Sequence, residues 1–167
     1  LCRWMSDARG AVPRIAHGGV PEALIAAEGG STGAVAQGTV PVGRAFGEWR
    51  VVGHVMPGVS AMSTSRAASW TGRSLEYGPR SARSPNGDCV EASFTERVVS
   101  TDALLSGQYG VPVETVPPMA EFDEVTVVDV LCEGASWGAV GQTVMVLDER
   151  RAMTPWDGVF FELRRVR

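Results

Sequence analysis

The chain contains no lysine: every one of its 15 basic residues is arginine. A GC-rich genome, whose codons favour Arg, Ala, Gly and Val, accounts for most of that bias. Asparagine is almost absent as well, with Asn86 standing alone. Histidine is limited to His17 and His54, and the three cysteines, Cys2, Cys89 and Cys132, have no metal-ligand spacing. That combination argues against a His/Cys metal centre, and no metal is expected. Two of the cysteines could pair in an oxidising compartment and leave one over; equally, all three could be small buried residues. No apolar run approaches the roughly 20 residues that cross a bilayer as a helix, so no membrane insertion is expected. The start carries no signal-peptide pattern, but it is Leu1 rather than Met, so nothing follows from the lack of a leader. Internal repeats and low-complexity tracts are also missing.

What is present is the composition of an ordinary globular domain: 167 residues, 44 % apolar and 20 % charged. One domain spanning 1–167 is expected, long enough to bury a real core. Charge is uneven. Residues 1–84 hold 9 Arg against 5 acids, and residues 85–167 hold 6 Arg against 14 acids. Such polarity could define a cleft with arginine available for phosphate. The arginines are too sparse for the clustered basic stripe of a nucleic-acid-binding surface.

In chain order, Leu1–Met5 reads as a strand carrying Arg3, and Pro21–Gly29 as a short helix with Pro in its first turn and Gly past its end. Residues 29–47 form a Gly/Ser/Thr-rich loop. Glu48–Met56 alternates, with Trp49, Val51 and Val55 on one face, and predicts a half-buried strand. A Pro57-Gly58 turn leads to a short strand closing on Ser63-Thr64-Ser65, and a helix follows near Arg66–Ser74. Glu76–Asp88 reads as a polar loop and Cys89–Val99 as a strand with Val90, Ala92 and Phe94 on one face. Thr101–Leu105 looks like a capped helical turn ended by Gly107, and Val111–Met119 is a Pro-rich connection. Strands are predicted over Val125–Leu131, Gln142–Leu147 and Val159–Val166, the last two separated by a polar turn. The sum is α+β, with mostly antiparallel sheet and a few short helices.

Chemistry could concentrate at Glu121–Asp129, where four carboxylates precede or enter an apolar strand. A solvated acidic turn is the plain reading. The functional one is that Glu124 projects a carboxylate at a sheet edge, able to stabilise an oxocarbenium-like transition state. Arg3 could bind a diphosphate.

Arginine on the first strand, Ser63-Thr64-Ser65 at the end of a middle strand and Glu124 ahead of a late strand resemble the Arg–Ser-Thr-Ser–Glu class of mono-ADP-ribosyltransferases. Leu1-Cys2-Arg3 followed by Asp7-Ala8-Arg9 is similar to the start of cholera- and pertussis-type toxin catalytic chains. His54 resembles that family's histidine upstream of the Ser-Thr-Ser motif, and lysine-poor composition fits such chains. The resemblance implies a split pair of small, mostly antiparallel sheets forming an NAD-binding sandwich. Its core would cover about 1–131, with C-terminal strands over 141–167. It implies Glu124, Arg3 and Ser63 as catalytic residues, and Arg3, Arg9, His54, Ser63, Thr64 and Ser65 as contacts to NAD, the substrate. Trp4, Trp49 or Trp70 would stack on nicotinamide, and Ser63 would orient Glu124. It further implies a secreted chain, delivered into a host cell and acting in its cytoplasm. Its acceptor would be a host protein or nucleic acid, and a delivery subunit could accompany it. Two departures stand out: Cys2 replaces an aromatic residue, and Phe122 occupies the place where the family commonly has Glu or Gln. A second, shorter resemblance, Asn86–Glu91 to the core of a small actinobacterial domain of unknown function, hints only at a high-GC source. The rival expectation is a non-enzymatic β-rich domain that binds a small ligand or a protein partner.

Overall fold

The computed structural model describes residues 43–167. The strand predicted at Leu1–Met5, the helix at Pro21–Gly29, and with them Cys2, Arg3, Trp4 and Arg9, lie outside the described residues.

Among the described residues, ten strands form one antiparallel sheet: β1 (Gly47–Val55), β2 (Ser74–Gly78), β3 (Ser81–Ser84), β4 (Gly87–Cys89), β5 (Ala92–Ser100), β6 (Glu124–Cys132), β7 (Ala135–Ser136), β8 (Thr143–Val146), β9 (Arg151–Trp156) and β10 (Val159–Arg165). Their order is β4-β3-β2-β1-β10-β9-β8-β6-β5, with β7 on β6. The class is therefore α+β as expected, but the two-sheet sandwich is corrected to a single curled sheet. The physical reason is the placement of β10, which pairs with both β1 and β9 and so joins early and late strands into one ladder.

The helices are short: α1 (Thr64–Ala68), α2 (Thr101–Ala103) and α3 (Pro117–Ala120). None of the described helices is long and apolar enough to cross a membrane. The capped turn expected at Thr101–Leu105 is present, with the Ser100 hydroxyl as the cap, but it does not stop at Gly107. It widens into a π-helical turn over Leu104–Tyr109 and ends at Gly110, whose left-handed φ of 66° suits glycine.

Each face of the sheet has its own core. The inner face buries Trp49, Val51, Leu75, Tyr77, Phe161 and Leu163. On the outer face, Val127, Met145, Met153 and Phe160 are covered by Leu105, Val116 and Met119 from the segment between β5 and β6. Trp49 anchors the inner core: its indole N–H donates to the Ala45 carbonyl at 2.7 Å. The Arg165 guanidinium lies 4.2 Å from its ring centroid while donating to the carbonyls of Phe46, Arg44 and Glu149.

The two ends of the curl are tied together. Cys89 on β4 and Cys132 on β6 form a disulfide, the Ala92 N–H donates to the Arg80 carbonyl at 2.9 Å, and Tyr77 Oη donates to the Gly141 carbonyl at 3.0 Å. Burial pushes the Tyr77 phenol well above its ordinary pKa, so it remains a donor. Gly141 cannot be replaced easily: its φ is +96°, and a Cβ there would collide with Tyr77 and Leu75.

Four sequence expectations change. A β-bulge at Val52, between paired Val51 and Gly53, shifts the alternation, so Val55 leaves the Trp49 face and packs on the outer core. The polar loop predicted over 76–88 is largely the hairpin series β2–β3–β4, whose few apolar residues (Leu75, Tyr77, Ala82 and Cys89) all point inward. The polar turn predicted before Val159 contains β9, disguised by Pro155. That proline lies past the last β8 pair, where no ladder N–H is needed. Finally, β1 ends at Val55, and Ser63 caps α1 instead of closing a strand.

The β8–β9 turn carries a charge clamp. Asp148 accepts from the backbone N–H groups of Arg150 and Arg151, both at 2.8 Å, and from Arg151 Nε at 2.7 Å. Arg151 also meets Glu121 at 2.9 Å and lies over Phe122, pinning the segment ahead of β6. Burial alone would raise the Asp148 carboxyl, but the hydrogen bonds from Arg151 and the two backbone donors outweigh it and hold the pKa low. A carboxyl depressed in the folded state stabilises the fold above its unfolded pKa, and that contribution disappears as pH falls through the lower folded value. Asp148→Asn is therefore expected to cost at most about 1 kcal/mol at pH 7, the side chains being partly solvated. The difference from wild type should shrink below about pH 4. Urea titrations at both pH values check it; a pH-independent difference would contradict the linkage.

Candidate functional site

Of the residues implied by the transferase resemblance, the structure describes Glu124, His54 and the Ser63–Ser65 run. Ser63 is the N-cap of α1: its Oγ accepts from the Arg66 N–H at 3.3 Å and lies 3.2 Å from Ser65 Oγ. The hydroxyls thus satisfy one another and a helix terminus. The segment before Ser63 is fastened to the β9–β10 tip, where Ser60 Oγ donates to the Asp157 carbonyl at 2.7 Å and the Ala61 N–H to the same oxygen at 3.0 Å.

Glu124 is the exposed first residue of β6, opposite Ser100 on β5. The register separates it from Ser63. The Val55 end of β1 aligns through Phe160 and Pro155 with the end of β8 next to Asp129, five residues along β6 from Glu124. At about 3.4 Å per residue, Glu124 lies some 17 Å away along the strands, at the opposite end of the sheet, and β1 and β6 are four strand steps apart. The structure does not bring Ser63 and Glu124 together. His54 stands opposite Phe161 in the β1–β10 ladder. Trp49 is fully buried, and Trp70 is buried 5.5 Å from the Phe161 ring, so both are core residues. Neither offers a face to nicotinamide. Glu121, Asp123 and Glu124 also differ in use, since Glu121 is committed to Arg151.

A different group of residues does converge. At the Asp157 end of the outer face lies a cleft of about 420 Å³. Its floor is Phe160 and Pro155, directly opposite one another on β10 and β9. The π-helical turn forms one wall, presenting Gln108 and Tyr109; the Tyr109 ring meets Phe160 edge-on at 5.2 Å. The Asp157-Gly158 turn forms the other, and Trp156 borders it while its side chain packs on the inner core. Thr143 lines the cleft and donates to Asp129 at 2.7 Å, and Arg97 pairs with the same carboxylate. Gln142 completes the lining. Its Oε1 accepts from Ser136 Oγ at 2.9 Å and the Gly138 N–H at 3.1 Å, leaving its amide NH₂ to donate.

Tyr109 is pushed up to about 12, chiefly by burial, then by the Asp129 charge, with Arg97 opposing. It stays a neutral phenol, able to donate and accept, across the physiological range. Among the described residues, no three His, Cys, Asp or Glu side chains cluster as a metal site would need.

Sequence reasoning passed over Tyr109 and Trp156. The aromatic Trp156 directly before Asp157-Gly158 was a legible hairpin signal. Nothing local marked the wide turn that carries Tyr109. No family model matches the chain, and neither the curated proteins nor the solved structures contain a match to it.

Proposed function

We propose that this chain carries a non-enzymatic, β-rich ligand-binding domain, with the cleft between the π-helical turn and the β9–β10 tip as its binding site. The observation that carries this reading is the convergence there of the Tyr109 ring and unlike polar groups from three separate elements. Its volume falls within the range of ordinary small-ligand pockets. The Cys89–Cys132 bridge supports a place of work in an oxidising compartment, in keeping with a secreted chain.

The separation of Ser63 from Glu124 weighs against NAD cleavage by those residues. The purified chain is expected to release no nicotinamide from NAD, and Glu124→Gln to leave stability and ligand binding unchanged. Release of nicotinamide that Glu124→Gln abolishes would overturn the proposal in favour of ADP-ribosyl transfer. The positive test is a fragment screen followed by the amide spectrum of the chain, with shifts expected at Gln108, Tyr109 and Trp156.

A further inference from the structure

Resting on that reading, we infer that the cleft's ligand is a neutral polyhydroxylated ring, of the size of a mono- or disaccharide.

The lining selects this class by what it offers and by what it withholds. Among the described residues, no arginine lines the cleft. Arg97 is committed to Asp129, so a phosphate or carboxylate would meet no free positive charge among the described lining residues. Asp157, exposed at the rim, would repel an anion. A wholly apolar ligand is equally disfavoured, because it would strip water from Gln108, Gln142 and Thr143 without replacing those hydrogen bonds.

A sugar ring meets both demands. Its C–H face is an apolar patch that can lie on an aromatic surface, here Tyr109. Its hydroxyls each donate and accept, and need partners of both kinds. Gln108 has an amide with both functions, and its Nε2 donates to Tyr109 Oη at 3.3 Å, which orients the phenol. Gln142 has only its NH₂ left to give, and Asp157 has acceptors. The Thr143 proton is held by Asp129, so its oxygen faces a ligand as an acceptor.

The polar groups are fixed before any ligand arrives. Gln142 is held by Ser136 and Gly138, Thr143 by Asp129, and the β9–β10 tip by Ser60 and Ala61. Pre-organisation of this kind reduces the entropy lost on binding, which matters for ligands whose hydroxyls are already well solvated.

The test is an amide and side-chain NMR titration of the full chain with methyl glucoside, methyl galactoside, methyl N-acetylglucosaminide and myo-inositol. At least one should shift the Gln108 and Gln142 amide NH₂ signals and the backbone amides of Tyr109 and Asp157 saturably, with Kd in the millimolar range or tighter, about −4 kcal/mol or more. Tyr109→Ala should weaken that binding about tenfold or more. Tyr109→Phe, which keeps the ring and packing on Phe160, should weaken it severalfold while the rest of the spectrum is unchanged. Saturable shifts that Tyr109→Ala leaves intact would place the sugar elsewhere and overturn the inference. If the glycosides fail while charged or apolar fragments shift the same signals, the sugar assignment falls and the ligand-binding reading stands. If nothing shifts them, both fall.

Discussion

Removing the Cys89–Cys132 bridge, in a Cys89→Ala/Cys132→Ala variant, is expected to destabilise the domain by about 4 kcal/mol. The bridge closes a loop with a sequence separation of 43 residues, and the chain-entropy relation for a loop of that length gives this value. Beyond entropy, it locks the curl. The edge strand β4 is three residues long and pairs with β3, and this bridge ties it to β6. Without it, β4 and the outer edge of β5 become available for pairing with other chains. For a unit of this size the loss corresponds to a fall in melting temperature of roughly 15 °C. Thermal melts of wild type and variant, with and without reductant, check it. Reductant should lower the wild-type value and leave the variant unchanged. Equal melting temperatures for all four samples would mean that the bridge contributes nothing in solution.

Trp49→Ala is expected to cost a further amount of the same order, about 4 kcal/mol. Trp49 is among the largest fully buried side chains in the described residues, and its loss leaves a cavity at the centre of the inner core. It also strips the Ala45 carbonyl of its donor and removes the surface on which Arg165 lies. Arg165 is partly buried, and burial already pulls its pKa below the ordinary arginine value, so exposing it differently disturbs the contacts to Phe46 and Arg44 as well. Against a typical domain stability of about 5–15 kcal/mol, either change leaves little margin. Denaturant midpoints would measure it, with Trp49→Phe as the control that keeps a ring and loses the indole hydrogen bond. A cost below about 1 kcal/mol for Trp49→Ala would show that the surrounding strands collapse into the space.

The Ser-Thr-Ser run illustrates how a motif can be real and yet local. Its hydroxyls and the following Arg66-Ala67-Ala68 were legible as a helix start, and Ser63 is indeed an N-cap. Its reading as a partner for Glu124 depended on strand order, which nothing within either segment records. The opposite holds for the cleft. Phe160, Pro155 and Thr143 belong to three strands, Tyr109 to a π-helical turn and Trp156 to a hairpin shoulder, and none is distinctive where it stands. They become a site only because β8, β9 and β10 lie side by side with the turn packed over them.

Unbroken apolar runs and punctuation by themselves determined β6, β8 and β10, which are buried on both faces, and the capped turn at Thr101–Leu105. Each of these is carried locally, by a continuous apolar run between turn signals or by a hydroxyl ahead of a helical turn. Tertiary structure decided the rest. It set the single sheet in place of two, the bulge that turns Val55 to the other core, β9 despite Pro155, the choice of Cys89 and Cys132 as partners, and the distance between Ser63 and Glu124. The reason is physical: a strand's own sequence states which face is apolar, whereas its neighbour is selected by the packing of the whole curled sheet over separations of tens of residues.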